Sequence, residues 1–559
     1  AKVQADRFKN MVIRGFHTEL EAVYEEYNIG LGSDGEKQMQ AMNKKLFPGH
    51  PYGTQSTIGT QEHLKNPSIT NIKNYFHRYY VPNNVAICLA GDFDPDKTIA
   101  IIDKYFGDWK KSDNLSYPQY APLKKLTAPV DTTVVGLEAP NVFMAWRTDA
   151  AASAQQDTLS VISNLLSNGK AGLFDIDLNN PMKVMGASAR LSPDHDYGMF
   201  YLFGLPREGQ DTKEVRRLML GEIEKLKKGQ FSDDLLPSVV NNMKLNYYQS
   251  LRKNNERADR FVDAFINDKS WDNEVRSLDR IAKMTKSQIV DFANRFFTDG
   301  YVTVFKAQGN DTTIHKIEKP HITPIPTNND KQSDFLKNIV NAKPEPIQPK
   351  FVDFKRDLTV ARTKKGLDYL YKKNSSDDIF SLTYHYPFGT ESDNQYAVAA
   401  DYLSYVGTDK LSNENIQQQF YKLACSYNVS VDDDAINISL SGLNANMPAA
   451  VRLLESVLTS AKADKESYDK YVGIVLKARA DAKSEQRACF SALTLLGECG
   501  AYNPQLNVMS EKQLREQAEE PKPLPRHGDV FWAFRHEGRR RHRQRGSHHA
   551  KDVLERTGG

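Results

Sequence analysis

The chain has 559 residues, which is too long for one hydrophobic core and predicts three or four domains. Hydrophobic residues make up 40% and charged residues 26% of the chain, an ordinary composition for a globular protein. No apolar run approaches the roughly 18 residues that a membrane-spanning helix needs, so we expect no integral membrane segment. The four cysteines are too few and too scattered for a disulfide framework or a CxxC zinc cluster.

The net charge of +3 originates at the end of the chain. Residues 526–559 contain nine Lys/Arg and four Asp/Glu, so they carry +5 and the remaining residues carry −2. The overall charge therefore does not predict a nucleic-acid-binding protein, although the arginine cluster at 539–545 could contact phosphates. A nucleic-acid-binding function would be lost when residues 526–559 are deleted.

In chain order, the first predicted element is an acidic helix at residues 19–26, in which Glu19 and Glu26 are seven residues apart and share one face. The next is a helix that begins at Ser68, an N-cap candidate, and leads through a turn into an alternating strand from Val85. A short Pro-containing linker follows at 115–130, and a long Pro-rich connector lies between 311 and 350.

The helix and strand of residues 68–91 recur at residues 285–308, at a constant offset of 217 and without a gap. The matching positions are Ser68 and Thr285, Ile72 and Ile289, Tyr79-Tyr80 and Phe296-Phe297, and Val85-x-Ile87 and Val302-x-Val304. Residues 143–169 and 380–407 share a strand, an apolar helix and a glycine. Another helix copy begins at Met509-Ser510 and gives way to a Pro-rich sequence before its expected strand.

A unit of roughly 200 residues therefore recurs along the chain. We expect repeated α+β sandwich-type domains, because strands alternate with long helical stretches. The predicted parts are a partial copy at 1–115, a full copy at 130–312, the connector at 313–350, a truncated copy at 351–518 and a tail at 519–559. We expect the basic tail to be disordered or non-native, since it replaces an expected helix and strand.

A cluster of motifs in the first copy identifies a family. These motifs are His50-Pro51-Tyr52-Gly53, Thr57-Ile58-Gly59, Pro82-Asn83-Asn84, Gly91-Asp92 and Tyr105-Phe106-Gly107. With them the chain resembles, over about residues 1–517, the pitrilysin/insulinase family of inverted zinc metallopeptidases, especially its long bacterial members. The resemblance implies a zinc-dependent endopeptidase that cleaves peptides or small unfolded proteins in a chamber of four homologous domains. It also implies a periplasmic location.

The same resemblance assigns roles to the domains and to an acidic helix. Residues 1–115 become the C-terminal part of the catalytic domain, and 130–312 and 351–518 become non-catalytic domains. In this family two histidines of an HxxEH helix and a glutamate of a later helix hold the zinc, while the HxxEH glutamate is the general base. The implied ligand here is Glu26, with Glu19 as its supporting residue. Glu25 is the alternative ligand if the alignment shifts by one residue.

The HxxEH motif itself is absent from the sequence, because none of the 13 histidines has Glu at +3 and His at +4. We expect that residue 1 falls after the motif and that the chain as given contains no catalytic residue and is inactive. The equivalent helices at 157–166 and 396–405 contain no histidine and are expected to be packing helices. The second hypothesis is a non-catalytic homologue that acts as a scaffold or peptide-binding partner.

Two further histidines, His17 and His50, are poor candidates for metal ligands. His50 precedes Pro51 and is expected to be a structural residue in a turn. His17 and Glu21 are four residues apart on one helix, but two ligands alone hold zinc poorly.

Overall fold

The computed structural model of the protein describes residues 1–65, 67–312, 330–364, 366–483, 486–500 and 507–519. Residues 313–329 of the Pro-rich connector and the tail from residue 520 lie outside the described residues, so the predictions for them stay predictions. Within the described ranges, no helix is both long enough and apolar enough to cross a membrane.

Helices dominate the first 115 residues. They are α1 (Lys2–Lys9), α2 (Phe16–Leu31), α3 (Asp34–Leu46), α4 (Pro51–Thr54), α5 (Gln61–Lys65), α6 (Ile69–Tyr79) and α7 (Pro95–Phe106). Both strands and helices follow residue 130, with six consecutive helices between the fourth and fifth strands. They are β1 (Val130–Gly136), β2 (Asn141–Asp149), α8 (Gln155–Leu166), β3 (Gly186–Ser192), β4 (Tyr197–Leu205), α9 (Thr212–Lys227), α10 (Leu235–Ser250), α11 (Asn254–Ile266), α12 (Trp271–Val275), α13 (Ser277–Ile281), α14 (Lys286–Phe296) and β5 (Val302–Gln308).

The remainder also contains both strands and helices after the connector. Its elements are α15 (Asp334–Val340), α16 (Phe354–Asp357), β6 (Thr359–Arg362), β7 (Asp368–Tyr371), β8 (Ile379–Tyr386), α17 (Gln395–Leu403), β9 (Gly407–Thr408), α18 (Asn413–Lys422), β10 (Cys425–Val431), β11 (Ile436–Leu443), α19 (Met447–Ser460), β12 (Ala461–Lys462), α20 (Lys465–Ala482), α21 (Gln486–Cys499) and α22 (Glu511–Glu519). The predicted α+β class is confirmed.

The chain divides into two compact units. The first contains Ala1–Asn168, Gly172–Phe231 and Ser250–Lys373, and the second contains Gly169–Ala171, Ser232–Gln249 and the chain from Asn374 onward. This division follows contacts in space and not the repeat, so it does not test the domain boundaries predicted from the sequence. Those boundaries stay predictions.

A five-stranded sheet organises the first unit, with the strand order β1-β5-β2-β4-β3. Strand β1 runs parallel to β5, and the other neighbours are antiparallel. Helix α3 packs on one face of this sheet, while α8 and α9 contact β2, β3 and β4. The buried apolar residues shared by α3, its C-terminal end and the sheet are Met42, Leu46, Phe47, Phe143, Ala145, Met199, Val302 and Val304. Because helices cover both faces, nearly every side chain of β2 is buried.

Buried polar side chains close the N-terminal end of the contact between α3 and the sheet. The Lys306 ammonium of β5 lies 2.8 Å from a carboxylate oxygen of Asp34 at the start of α3. The Gln38 amide donates to the Asn141 side chain over 2.6 Å. All four of these residues are buried, so the ion pair is held out of water by the packing around it.

The two gap-free copies found in the sequence begin in the same way. The Ser68 hydroxyl accepts a hydrogen bond from the Asn71 amide at the start of α6, and Thr285 caps α14 by the same contact with Gln288. The predicted N-caps are therefore confirmed. The helix order α2, α3, α6 also matches the order α10, α11, α14 one repeat later.

The strand predicted from Val85 is wrong for the described structure. Val85 has an extended backbone, with φ −131° and ψ 135°, yet residues 85–90 belong to no sheet and form no backbone hydrogen bond with the described residues. Ile87 is 46% exposed and Leu89 is 47% exposed. The equivalent strand β5 has β1 on one side and β2 on the other. An extended segment becomes a sheet strand only when such neighbours satisfy its backbone groups.

The second unit contains a three-stranded sheet with the order β10-β11-β8, which matches the order β3-β4-β2 of the first unit. Helix α22 begins as α14 does, because the Ser510 hydroxyl accepts from the Gln513 amide. Met509 and Leu514 are buried in the core of this unit. The helix copy predicted at Met509-Ser510 is therefore present.

Candidate functional site

The implied ligand helix is α2, a continuous α-helix that contains every acidic residue singled out from the sequence. Seven residues correspond to nearly two full turns, so Glu19 and Glu26 lie on one stripe of its surface. Glu25 is one residue earlier and therefore points about 100° away from Glu26. The sequence prediction that Glu19 and Glu26 share a helical face agrees with this geometry.

All three carboxylates of interest are exposed. The carboxylates of Glu19, Glu25 and Glu26 form no hydrogen bond or ion pair with the residues that the structure describes. Exposure therefore does not decide between Glu26 and Glu25 as the ligand. The shared stripe with Glu19 is the only feature of the helix that favours Glu26, so both assignments stay predictions.

The residues present do not by themselves fit a catalytic zinc ion. A catalytic zinc site takes about three protein ligands and leaves a further position for water. Among the described residues, no group of three or more His, Cys, Asp and Glu side chains is arranged to hold a metal. His17, on the same helix, packs edge-on against Phe16 at 5.6 Å between ring centroids. The described residues thus offer Glu26 as a single carboxylate, and no reaction step can be derived through a metal.

Helices α8 and α17, which the family resemblance equates with the zinc helix, bury apolar side chains in the cores of their units. Helix α8 buries Leu159, Val161, Ile162, Leu165 and Leu166. Helix α17 buries Tyr396, Tyr402 and Leu403, and the Tyr402 hydroxyl donates to the carbonyl of Asp464 over 2.8 Å. Neither helix contains a histidine. Their side chains serve the cores of the two units.

His50 does not belong to the acidic helix. It caps the N-terminus of α4 instead. It is 2% exposed, and its Nδ1 accepts a hydrogen bond from the Tyr52 amide at the start of α4. Its Nε2 lies 3.1 Å from a carboxylate oxygen of Asp196. Asp196 was not singled out from the sequence. It is 146 residues away and belongs to no recognisable motif, so only the folded chain reveals the contact.

The profile described as "Peptidase M16 inactive domain" matches residues 68–243. The zinc protease PqqE of Helicobacter pylori is 23% identical over 260 residues, which cover 45% of this chain and 57% of that protein. The uncharacterized zinc protease YmxG of Bacillus subtilis is 22% identical over 246 residues, covering 43% of this chain and 58% of that protein. The chain thus matches just over half the length of these curated relatives.

Two solved structures share the fold. Pitrilysin aligns with a TM-score of 0.53 and 14% identity, covering 92% of this chain and 57% of that chain. A protease from Helicobacter pylori aligns with a TM-score of 0.52 and 21% identity, covering 55% of this chain and 76% of that chain. At these identities the likeness establishes the fold alone.

Proposed function

Because this chain belongs to the pitrilysin/insulinase (M16) family of peptidases, we propose that it forms part of a zinc-dependent endopeptidase. The proposed substrates are peptides or small unfolded proteins. The names of the relatives support a zinc protease, and the resemblance of the motifs at residues 50–107 supports the substrate class. A periplasmic location is part of the proposal and rests on the resemblance alone.

The observation that carries the proposal is the pair of carboxylates on α2. Glu26 is the proposed zinc ligand, and Glu19, two turns earlier on the same stripe, is proposed to orient and support it. Both side chains are exposed and have no partner among the described residues, so both are available to a metal. When bound, zinc would polarise the scissile carbonyl and lower the pKa of a bound water.

The proposal requires two histidine ligands and a general base that these 559 residues do not supply as an HxxEH motif. A lone carboxylate leaves a zinc ion mostly hydrated. The chain by itself is therefore expected to bind no stoichiometric zinc through Glu26 and to cleave no peptide. Its contribution to the enzyme would be the glutamate ligand and the non-catalytic domains.

A non-catalytic homologue, acting as a scaffold or a peptide-binding partner, is the second candidate. It is favoured by the profile match, since the matched profile is that of the inactive domain. It is also compatible with the lack of a three-ligand group in the described part of the chain. The two candidates differ in whether α2 binds zinc when an HxxEH helix is supplied.

The test measures zinc content and cleavage of a quenched peptide substrate. The chain as given should show neither, whereas a chain extended at its N-terminus by an HxxEH-bearing segment of a relative should show both and lose both to a chelator. In the extended chain, Glu26→Gln should abolish zinc binding, and Glu19→Gln should weaken it by about 10–100-fold.

The matched control is Glu25→Gln, which removes a neighbouring exposed carboxylate of the same helix and should keep zinc and activity. Zinc loss in Glu25→Gln with retention in Glu26→Gln would move the ligand assignment to Glu25. An extended chain that folds but binds no zinc would favour the scaffold. Chelator-sensitive cleavage by the chain as given would overturn the assignment of the site to α2.

A further inference from the structure

Asp196, in the turn between β3 and β4, joins two histidines from different parts of the first unit. One carboxylate oxygen lies 3.1 Å from His50 Nε2, and the other lies 2.6 Å from His195 Nδ1. The second nitrogen of His195 lies 3.1 Å from a carboxylate oxygen of Asp268, just after α11. The four side chains form one continuous hydrogen-bonded series.

The hydrogen-bond partners assign a different charge to each histidine. His50 Nδ1 accepts from the Tyr52 amide, so it carries no proton, and Nε2 donates to Asp196. This histidine is neutral. Both nitrogens of His195 face carboxylates, which accept but do not donate when ionised, so both nitrogens must donate. His195 is therefore an imidazolium in this arrangement.

The surroundings of the two histidines differ as much as their charges. The His50 ring is buried against Tyr52, Tyr120 and Tyr197, with ring centroids 4.5, 5.2 and 5.4 Å away. Burial raises the pKa of Tyr52, whose hydroxyl accepts from the Asp196 amide and stays protonated near neutral pH. His195 is half exposed and Asp268 is 82% exposed, so this end of the series can exchange with water.

Three other charged groups lie near the four side chains: Asp194, Arg147 and Lys269. Burial raises the pKa of Asp194, next to His195 in the same turn. The Arg147 guanidinium lies over the Tyr197 ring, 5.8 Å from its centroid. Lys269, beside Asp268, pairs with Asp263 at 2.7 Å. The described contacts therefore leave His195 as the cation that bridges Asp196 and Asp268.

We propose that His195, which bridges Asp196 and Asp268, forms a proton-dependent latch that holds the end of α11 against the turn between β3 and β4, while the neutral His50 holds the α4 turn to the same Asp196. The latch is closed while His195 carries both protons. Loss of one proton turns a nitrogen of His195 into an acceptor that faces a carboxylate, which breaks one of its two contacts. Asp268, the more exposed carboxylate, then separates first.

The direction of the pH dependence follows from the partners of His195. Hydrogen bonds to Asp196 and then to Asp268 raise the pKa of His195 above its ordinary value of 6.5. A raised pKa means that the stabilising contribution is complete below about pH 6.5. The contribution is lost as the pH rises through the pKa of the folded chain. The latch is thus closed in mildly acidic solution and opens in alkaline solution.

The test is hydrogen exchange in the full chain between about pH 6 and 9, with protection factors corrected for the intrinsic pH dependence of exchange. The reporter is the amide of Lys269, which bonds to the carbonyl of Ala264, and the internal reference is the amide of Thr54, which bonds to the carbonyl of His50. The protection factor of Lys269 should fall as the pH rises, whereas that of Thr54 should stay constant, because the contact of His50 with Asp196 does not depend on the charge of His195. The His195→Gln and Asp268→Asn variants should start from lower protection at Lys269 and lose its pH dependence.

His63→Gln, which removes an exposed histidine of the same unit, is the matched control and should keep the wild-type response. Because Asp268 is at the surface, Asp268→Asn remains a test even if His195→Gln fails to fold. Protection of the Lys269 amide that is constant over the pH range in the wild-type chain would overturn the latch. Retention of the wild-type response in Asp268→Asn would also overturn it.

Discussion

Helix α14 with strand β5, and helix α6 with residues 85–90, are two copies of one repeat that differ in burial. Ile289 of α14 is fully buried, whereas the equivalent Ile72 of α6 is 39% exposed. Val302 and Val304 lie in the core, whereas Ile87, the partner of Val304, is exposed. The comparison separates two levels of structure. The repeated pattern fixes the N-cap, the helix and the extended backbone, and the neighbouring strands fix which side chains are buried.

The largest difference between the copies in the unfolding free energy lost on substitution is expected at Lys306, whose equivalent in the first copy is Leu89. Lys306→Ala removes the nearer ammonium group, which lies 2.8 Å from the buried Asp34 carboxylate against 3.9 Å for that of Lys37, and should cost about 3–5 kcal/mol of unfolding free energy. Leu89→Ala, at a half-exposed position, should cost about 1 kcal/mol or less. Denaturant unfolding can be followed by Trp146 for the second copy and by Trp109 for the first.

The matched control for Lys306→Ala is the double variant Lys306→Met with Asp34→Asn, which removes both charges and should recover much of the loss. A double variant as unstable as the single one would show that the ion pair is not the cause.

The same ion pair sets an acid limit on the stability of the first unit, in which it joins α3 to β5. Burial raises the pKa of Asp34, but hydrogen bonds from Lys306 and the Glu138 amide and the charges of Lys306 and Lys37 outweigh burial and lower it. The contribution is therefore present above about pH 3.8 and lost as the pH falls through the folded value. The wild-type unfolding free energy should fall in this acid range, and the double variant should lack this component of the fall.

The second comparison concerns the repeated isoleucine. Ile289→Ala should destabilise the second copy by about 2–5 kcal/mol, because it leaves a cavity in a closed core. Ile72→Ala should cost less than about 1 kcal/mol, because its side chain is already partly in water. Equal losses, measured with the same two tryptophan reporters, would show that α6 is buried in solution.

The smallest expected effect concerns the helix N-caps, the feature in which the two copies should agree. Ser68→Ala and Thr285→Ala each remove an N-cap hydrogen bond and should each cost about 1 kcal/mol of helix stability. Thr285 can lose somewhat more, since the Gln288 side chain also bonds back to its amide. Hydrogen exchange in α6 and α14 measures the two losses separately. A cost at Thr285 with none at Ser68 would mean that capping, too, depends on neighbours.

The sequence predicted what local chemistry determines. The N-caps at Ser68, Thr285 and Ser510 and the α+β repeat could be read from residue types and spacing, because capping and hydrophobic periodicity act within one turn or strand. The strand at Val85 was predicted from an alternating pattern. That pattern cannot report whether neighbouring strands are there to pair with it.

Contacts between residues far apart in the chain could not be predicted from the sequence. The ion pair of Asp34 and Lys306 and the contact of His50 with Asp196 join residues more than 100 positions apart, and neither pair forms a motif. The candidate ligand Glu26 was predicted from the family resemblance and the spacing to Glu19. It remains a prediction, because a ligand set is defined by its other members.

Hydrogen exchange at residues 85–90 and 302–307 of the full chain tests the central claim most directly, because it compares the same segment of two copies in one molecule. The account predicts strong protection at 302–307, where the amides bond within the sheet, and exchange close to that of an unstructured peptide at 85–90. Comparable protection of both segments in the monomeric chain would contradict it, since residues 85–90 would then have sheet neighbours that the account denies them.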